Sequence, residues 1–95
     1  MRLRELYLDA LEALGQLCER RQEKDHAMEL YLRALSADPC RESACQCLMH
    51  LALERGDRVL AIALYQELAR ALRRELGISP SDEIRLLCET ARSGA

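Results

Sequence analysis

The stretch LEALGQLCERRQEKDHAMELYLRALSADP, residues 11–39, sets the frame for the whole chain. Leu11, Leu14, Gly15 and Cys18 recur at helical steps and share one face of a helix. The run Arg20-Arg21-Gln22-Glu23-Lys24-Asp25 is too polar to bury, so a turn falls within it. Ala27, Tyr31 and Ala34 then share a face of a second helix. Asp38-Pro39 ends that helix, because proline has no N–H to donate and biases the residue before it away from helical angles. Thirty-four residues on, the pattern returns as Cys45, Leu48, Met49 and Ala52, then Ala61, Tyr65 and Leu68.

A period of 34 built from helix–turn–helix units is that of the tetratricopeptide repeat. Here the pattern reads Leu11-x2-Leu14-Gly15-x2-Cys18…Ala27-x3-Tyr31…Pro39. Two short helices cannot bury their apolar faces alone, but stacked on neighbours they can. The expectation is an all-α superhelix: one domain over residues 1–95, with repeat 1 at about 3–38, repeat 2 at about 40–76 and a capping helix at about 81–92. Gly15 lets the helix carrying Ala27 approach closely. Tyr31 and Tyr65 read as wedges between successive helices, with hydroxyls able to reach the rim.

Working outward, Leu3, Leu6, Tyr7, Ala10, Leu11, Leu14, Leu17 and Cys18 predict a helix over 3–21 with these residues inward. A second helix spans 24–36, with Ala27, Leu30, Tyr31, Ala34 and Leu35 inward, and a third spans 40–55, closed by Gly56. Asp57 is a good N-cap for a fourth helix over 58–76. That helix runs long because Arg73 stands where Pro39 would repeat. Gly77-Ile78-Ser79-Pro80-Ser81 is a turn, and Ser79 or Ser81 caps a fifth helix over 82–92. Ile84, Leu87, Cys88 and Ala91 point inward from it.

Ninety-five residues suit one modest core. Hydrophobic residues at 49% and charged residues at 32% give a globular balance. A net charge of −2 and an absence of Trp and Phe leave little for nucleic-acid binding by the domain itself. No apolar run nears the roughly 20 residues that span a bilayer, and the charged start (Arg2, Arg4, Glu5, Asp9) does not resemble a signal peptide. A cytoplasmic location is expected, with the five cysteines as reduced thiols.

The second half carries a more specific pattern: Ala44, Leu48-Met49, Leu51, Gly56, Ala61, Tyr65, Leu68 and Leu72, then Glu75-Leu76-Gly77-Ile78, Pro80 and Glu83. With Asp38-Pro39-x-Arg41-Glu42 and the run Arg74–Pro80, it resembles the bacterial transcriptional activator domain. That is the helical regulatory domain of the antibiotic-regulatory-protein class of transcription factors, and the resemblance spans about residues 3–92. It implies transcriptional regulation through protein contacts or self-association, with protein as the partner. DNA contact is implied only indirectly, through a winged-helix domain that these 95 residues do not contain.

The sharpest candidate surface is a partner-binding groove on the first helix of each repeat: Asp9, Glu12, Gln16 and Glu19, with Ser43, Gln46, His50 and Leu53. Cys40, Cys45, Cys47 and His50 do not suit a metal, since Cys45 and Cys47 point about 200° apart on one helix. Cys40, beside a helix N-terminus, is a candidate redox thiol through a lowered pKa. Arg70, Arg73 and Arg74 read as a solvated helix end. His26 and His50 lie in no recognisable catalytic arrangement, so no enzyme activity, cofactor or metal is expected. The alternatives are a generic tetratricopeptide adaptor for a peptide or partner helix, and a small-ligand sensor. The Glu75–Pro80 run, which a generic repeat does not need, distinguishes the first alternative.

Overall fold

The computed structural model describes residues 2–94. Within them five helices follow one another: α1 Arg2–Arg20, α2 Lys24–Ala37, α3 Glu42–Glu54, α4 Arg58–Leu76 and α5 Asp82–Ser93. This is the all-helical repeat architecture that the 34-residue period requires.

Each boundary has a local cause. The α1–α2 turn places Gln22 at φ 64, and Glu23 N–H donates to Cys18 O at 2.8 Å. Asp38 leaves α2 in an extended conformation and its carboxylate accepts from Cys40 N–H at 3.1 Å. That turn uses up Pro39, Cys40 and Arg41, so α3 begins at Glu42 rather than at Cys40. Asp57 caps α4 by accepting from Leu60 N–H at 3.1 Å. Gly77 closes α4 at φ +67, and Ile78 N–H reaches back to Leu72 O at 3.4 Å. Ser81 is the N-cap of α5, but its hydroxyl makes no capping bond. Its N–H instead donates to Glu42 Oε1 at 3.3 Å, so α3 steadies the start of α5. At the other end of α5, Arg58 Nε donates to Ala91 O at 2.7 Å. The capping helix is thereby tied to the stack at both ends.

The Cα atoms form a slab of 39 × 36 × 17 Å, whose thin dimension admits two helix layers about 10 Å apart. Between α1 and α2, the Tyr31 ring is fully buried against Gly15. The close approach allowed by Gly15 is therefore to Tyr31, not to Ala27. Leu48 and Leu51 of α3 pack with Ala27, Met28 and Tyr31 of α2. Cys45, Met49, Leu68, Leu72, Ile84 and Cys88 join α3, α4 and α5. Tyr65, expected as a second wedge, is only half-buried at the edge of this cluster. It meets the single helix α5 rather than a complete third hairpin.

One sequence expectation fails in α1. Leu8 is fully buried although the helical pattern left it out. Leu3 (82% exposed), Leu6 (58%), Tyr7, Leu14 (50%) and Leu17 face outward. Their repeat equivalents explain why. Ala44, Leu48 and Leu51 stand 34 residues after Ala10, Leu14 and Leu17, and all three are buried against the hairpin before them. Among the described residues, no hairpin precedes α1. Its inward contacts are instead Leu8, Leu11 and Gly15, with Leu8 and Leu11 packed on Ala34 and Ala44.

Candidate functional site

The expected groove lies where α1 and the start of α3 meet, and half of its residues hold the fold together. Arg41, two residues past Pro39, reaches across to the acidic edge of α1. Its guanidinium donates to Glu12, to Asp9 at 2.5 Å and to Glu5 at 3.3 Å. Ser43 Oγ donates to the same Glu12 carboxylate at 2.8 Å. The Arg41 and Glu12 side chains are 15% and 12% exposed, so this pair is largely withdrawn from water. Burial works against the Arg41 charge, but the hydrogen bonds it donates to Glu12 and Asp9 outweigh it and hold its pKa above the ordinary value.

A second tie follows about two turns further along α1. The Tyr31 hydroxyl donates to Glu19, and burial followed by that bond raises the phenol's pKa above its ordinary value of 10.0. Cys47 of α3 sits beside Tyr31, and its thiol is pushed up chiefly by burial. Asp9, Glu12, Ser43 and Glu19 are thus brought together as internal ties between helices. Of the other four, Gln16 and His50 are exposed, and Gln46 and Leu53 are half-buried. None of them enters the Arg41 latch, and Leu53 packs against the Ala52, Ala61 and Ala91 cluster of α3, α4 and α5.

Sequence reasoning missed Arg41 as the organising residue. The signal was present: Glu5, Asp9 and Glu12 fall at i, i+4 and i+7 and draw an acidic line along one edge of α1. The residue that answers that line is Arg41, close behind the Asp38-Pro39 break.

The cysteine expectations separate. Cys45 and Cys88 are buried as small core residues. Burial first and Glu42 second push the Cys45 thiol up to about 12. Cys40 lies before α3 rather than in its first turn. Its thiol is raised by desolvation and by the Glu75 carboxylate, whose Oε1 stands 3.7 Å from Sγ. A lowered pKa at Cys40, which the redox reading needed, is therefore contradicted. Arg70 pairs with Glu67, and Arg74 lies 3.6 Å from Glu75, as expected of a solvated helix end.

The other candidate surface is the outward stripe of α1: Leu3, Leu6, Tyr7, Ala10, Ala13, Leu14 and Leu17, all exposed. It follows the 3–4 spacing of a helix that packs on another helix. Its five large side chains expose on the order of 600 Å², the upper end of the largest patch on an ordinary monomer.

No helix of the described residues is long and apolar enough to cross a membrane. No curated protein and no solved structure matches the chain. The family model of the bacterial transcriptional activator domain matches residues 1–92. That span takes in both hairpins, the Arg41 latch and nearly all of the capping helix. The helical repeat and the family match agree, and the chain belongs to the bacterial transcriptional activator domain family.

Proposed function

We propose that this chain is a non-catalytic regulatory domain, one unit over residues 1–95, working in the cytoplasm of a bacterial cell. It couples a protein contact to a DNA-binding domain of the same regulator, and it meets DNA only through that domain. The observation that carries this reading is the outward stripe of α1. It is a contiguous apolar helix face that the described residues leave exposed. Such a face on a transcription-regulatory domain is a contact surface.

The test is promoter activation by a regulator that contains this chain, with Leu6→Glu and Leu14→Glu introduced together. Both side chains are half or more exposed, so the helical fold should persist by circular dichroism. Activation should fall several-fold at unchanged protein level. Undiminished activation would overturn the reading.

The first helices of the two repeats offer a second candidate contact. Gln16, Gln46, His50 and Leu53 stand outside the latch and would seat a peptide, a partner helix or a small ligand, as in a generic tetratricopeptide adaptor. If Gln46→Ala with His50→Ala abolishes activation while the α1 variants do not, the groove is the working surface.

A further inference from the structure

We propose that the start of α3 is a relay between α1 and α5. Its first turn keeps its order because α1 holds it from one side and α5 from the other, so a change at the acidic edge of α1 is felt at the start of α5, and the reverse. Its use rests on the reading of the chain as a regulatory domain that couples one contact to another, and the relay adds the element that carries the coupling.

Neighbouring residues at this point of the chain reach opposite ways. Arg41 reaches back to α1, where it donates to Glu12, to Asp9 at 2.5 Å and to Glu5 at 3.3 Å. Glu42, the next residue, reaches forward and accepts from the Ser81 N–H at the start of α5 at 3.3 Å. Ser43 turns back to α1 and donates to Glu12 at 2.8 Å. The apolar residues that follow divide in the same way. Ala44 is buried with Leu8 and Leu11 of α1, and Cys45 with Ile84 and Cys88 of α5. Five consecutive residues thus hold α1 and α5 through one turn of backbone.

That turn does not hold itself. Arg41 is the N-cap of α3, a residue whose side chain has no acceptor, and no side-chain bond caps the helix. The Ser43 hydroxyl is engaged by Glu12, and the Asp38 carboxylate serves the Cys40 N–H outside the helix. An uncapped first turn frays readily, because closing its first bond, Cys45 N–H to Arg41 O at 3.2 Å, fixes several dihedrals at once. What keeps the turn closed is therefore tertiary, and it comes from both sides. When α1 releases Arg41 and Ser43, the turn opens more often and carries Glu42 away from Ser81. When α5 releases Glu42, the turn opens in the same way and loosens the Arg41 latch. Two sites that bias one opening equilibrium are coupled, and the coupling is equal in both directions.

Amide hydrogen exchange on the folded chain, read residue by residue by NMR, tests the relay with no partner or promoter present. Its failure is thereby told apart from failure of the contact reading, which promoter activation decides. The Ser81 N–H is held by Glu42, and the Arg85 N–H closes the first turn of α5 on Ser81 O at 3.0 Å. The amide of Leu68, buried in α4, reports global unfolding. Glu12→Gln weakens the α1 side while keeping the shape of the side chain. In it the Ser81 and Arg85 amides should exchange at least about threefold faster relative to Leu68. Glu5→Gln together with Asp9→Asn, both at exposed side chains, is milder and should act in the same direction, and it decides the matter if Glu12→Gln fails to fold. In the reverse direction, Glu42→Gln should speed exchange of the Arg41 Nε–H relative to Leu68. Glu67→Gln, which breaks only the exposed pair with Arg70, should change none of these. Equal acceleration at Ser81, Arg85 and Leu68 would mean a general loss of stability and would overturn the relay. So would unchanged Ser81 and Arg85 amides in the α1 variants, or an effect that runs from α1 to α5 and not back.

Discussion

Gly15 is where the first hairpin closes. A Cβ at this position would stand 2.6 Å from Cε1 and 2.7 Å from Cζ of Tyr31. The ring is fully buried and its hydroxyl is tied to Glu19, so it has nowhere to swing. Gly15→Ala should therefore destabilise the fold by about 1–3 kcal/mol, although alanine is the better helix former by about 1 kcal/mol. Urea unfolding measures this, and a more stable Gly15→Ala would place the ring elsewhere. The buried acids set the alkaline limit. The Cys45 thiol is held at about 12 against an ordinary 9.0, so above pH 9 the unfolded chain gives up its proton before the native one does. Its contribution is whole below pH 9 and is lost as pH rises towards 12. Tyr31 adds a loss of the same sign above pH 10. The urea midpoint should be level to pH 9 and fall beyond it, and Cys45→Ala should flatten the first part of that fall. At this scale the sequence named the right residue types: Gly15 as a site of close approach, Tyr31 as a wedge and Cys45 as a small core residue. It did not say which atom lies against which. A helical pattern fixes a face but leaves the partner across it open, which is why Ala27 was expected where Tyr31 stands.

The elements are joined by polar ties as well as by apolar packing. Arg41 ties the start of α3 to three carboxylates on α1, and only the Glu12 bond is largely screened from water. Arg41→Ala would leave Glu12 buried with Ser43 as its remaining partner. It should cost about 2–3 kcal/mol, below the figure for a fully buried pair because Asp9 and Glu5 simply return to solvent. Thermal unfolding compared with Glu67→Ala, which removes an exposed pair, checks this. Equal small losses in both variants would mean that Arg41 does not latch the helices. The element boundaries were largely legible, because Asp38-Pro39, Gly56, Asp57 and Gly77 each act through their own backbone or side chain. The N-cap of α5 was not. Ser81 is in place, but the bond at that end comes from Glu42 in another helix, and local sequence does not carry such a contact.

At the scale of the molecule, the 34-residue period was enough to specify a stack of hairpins with a cap, since the same spacing of apolar residues occurs twice. It misled at α1 for a physical reason. The repeat pattern records which face of each helix meets a neighbour, and the first helix carries that face whether or not its neighbour belongs to the same 95 residues. Apolar spacing alone therefore marked the contact stripe as core. Leu14 and Leu48 hold equivalent places in the two repeats and differ in burial, 50% against 0% exposed. Leu14→Glu and Leu48→Glu would be compared by thermal unfolding at a concentration dilute enough to keep the chain monomeric. Leu14→Glu should stay within about 0.5 kcal/mol of the parent, whereas Leu48→Glu, placing a charge in the core, should cost more than about 4 kcal/mol or prevent folding. Equal and large losses in both variants would mean that α1 packs its stripe inward, and would contradict the contact face on which the proposed function stands.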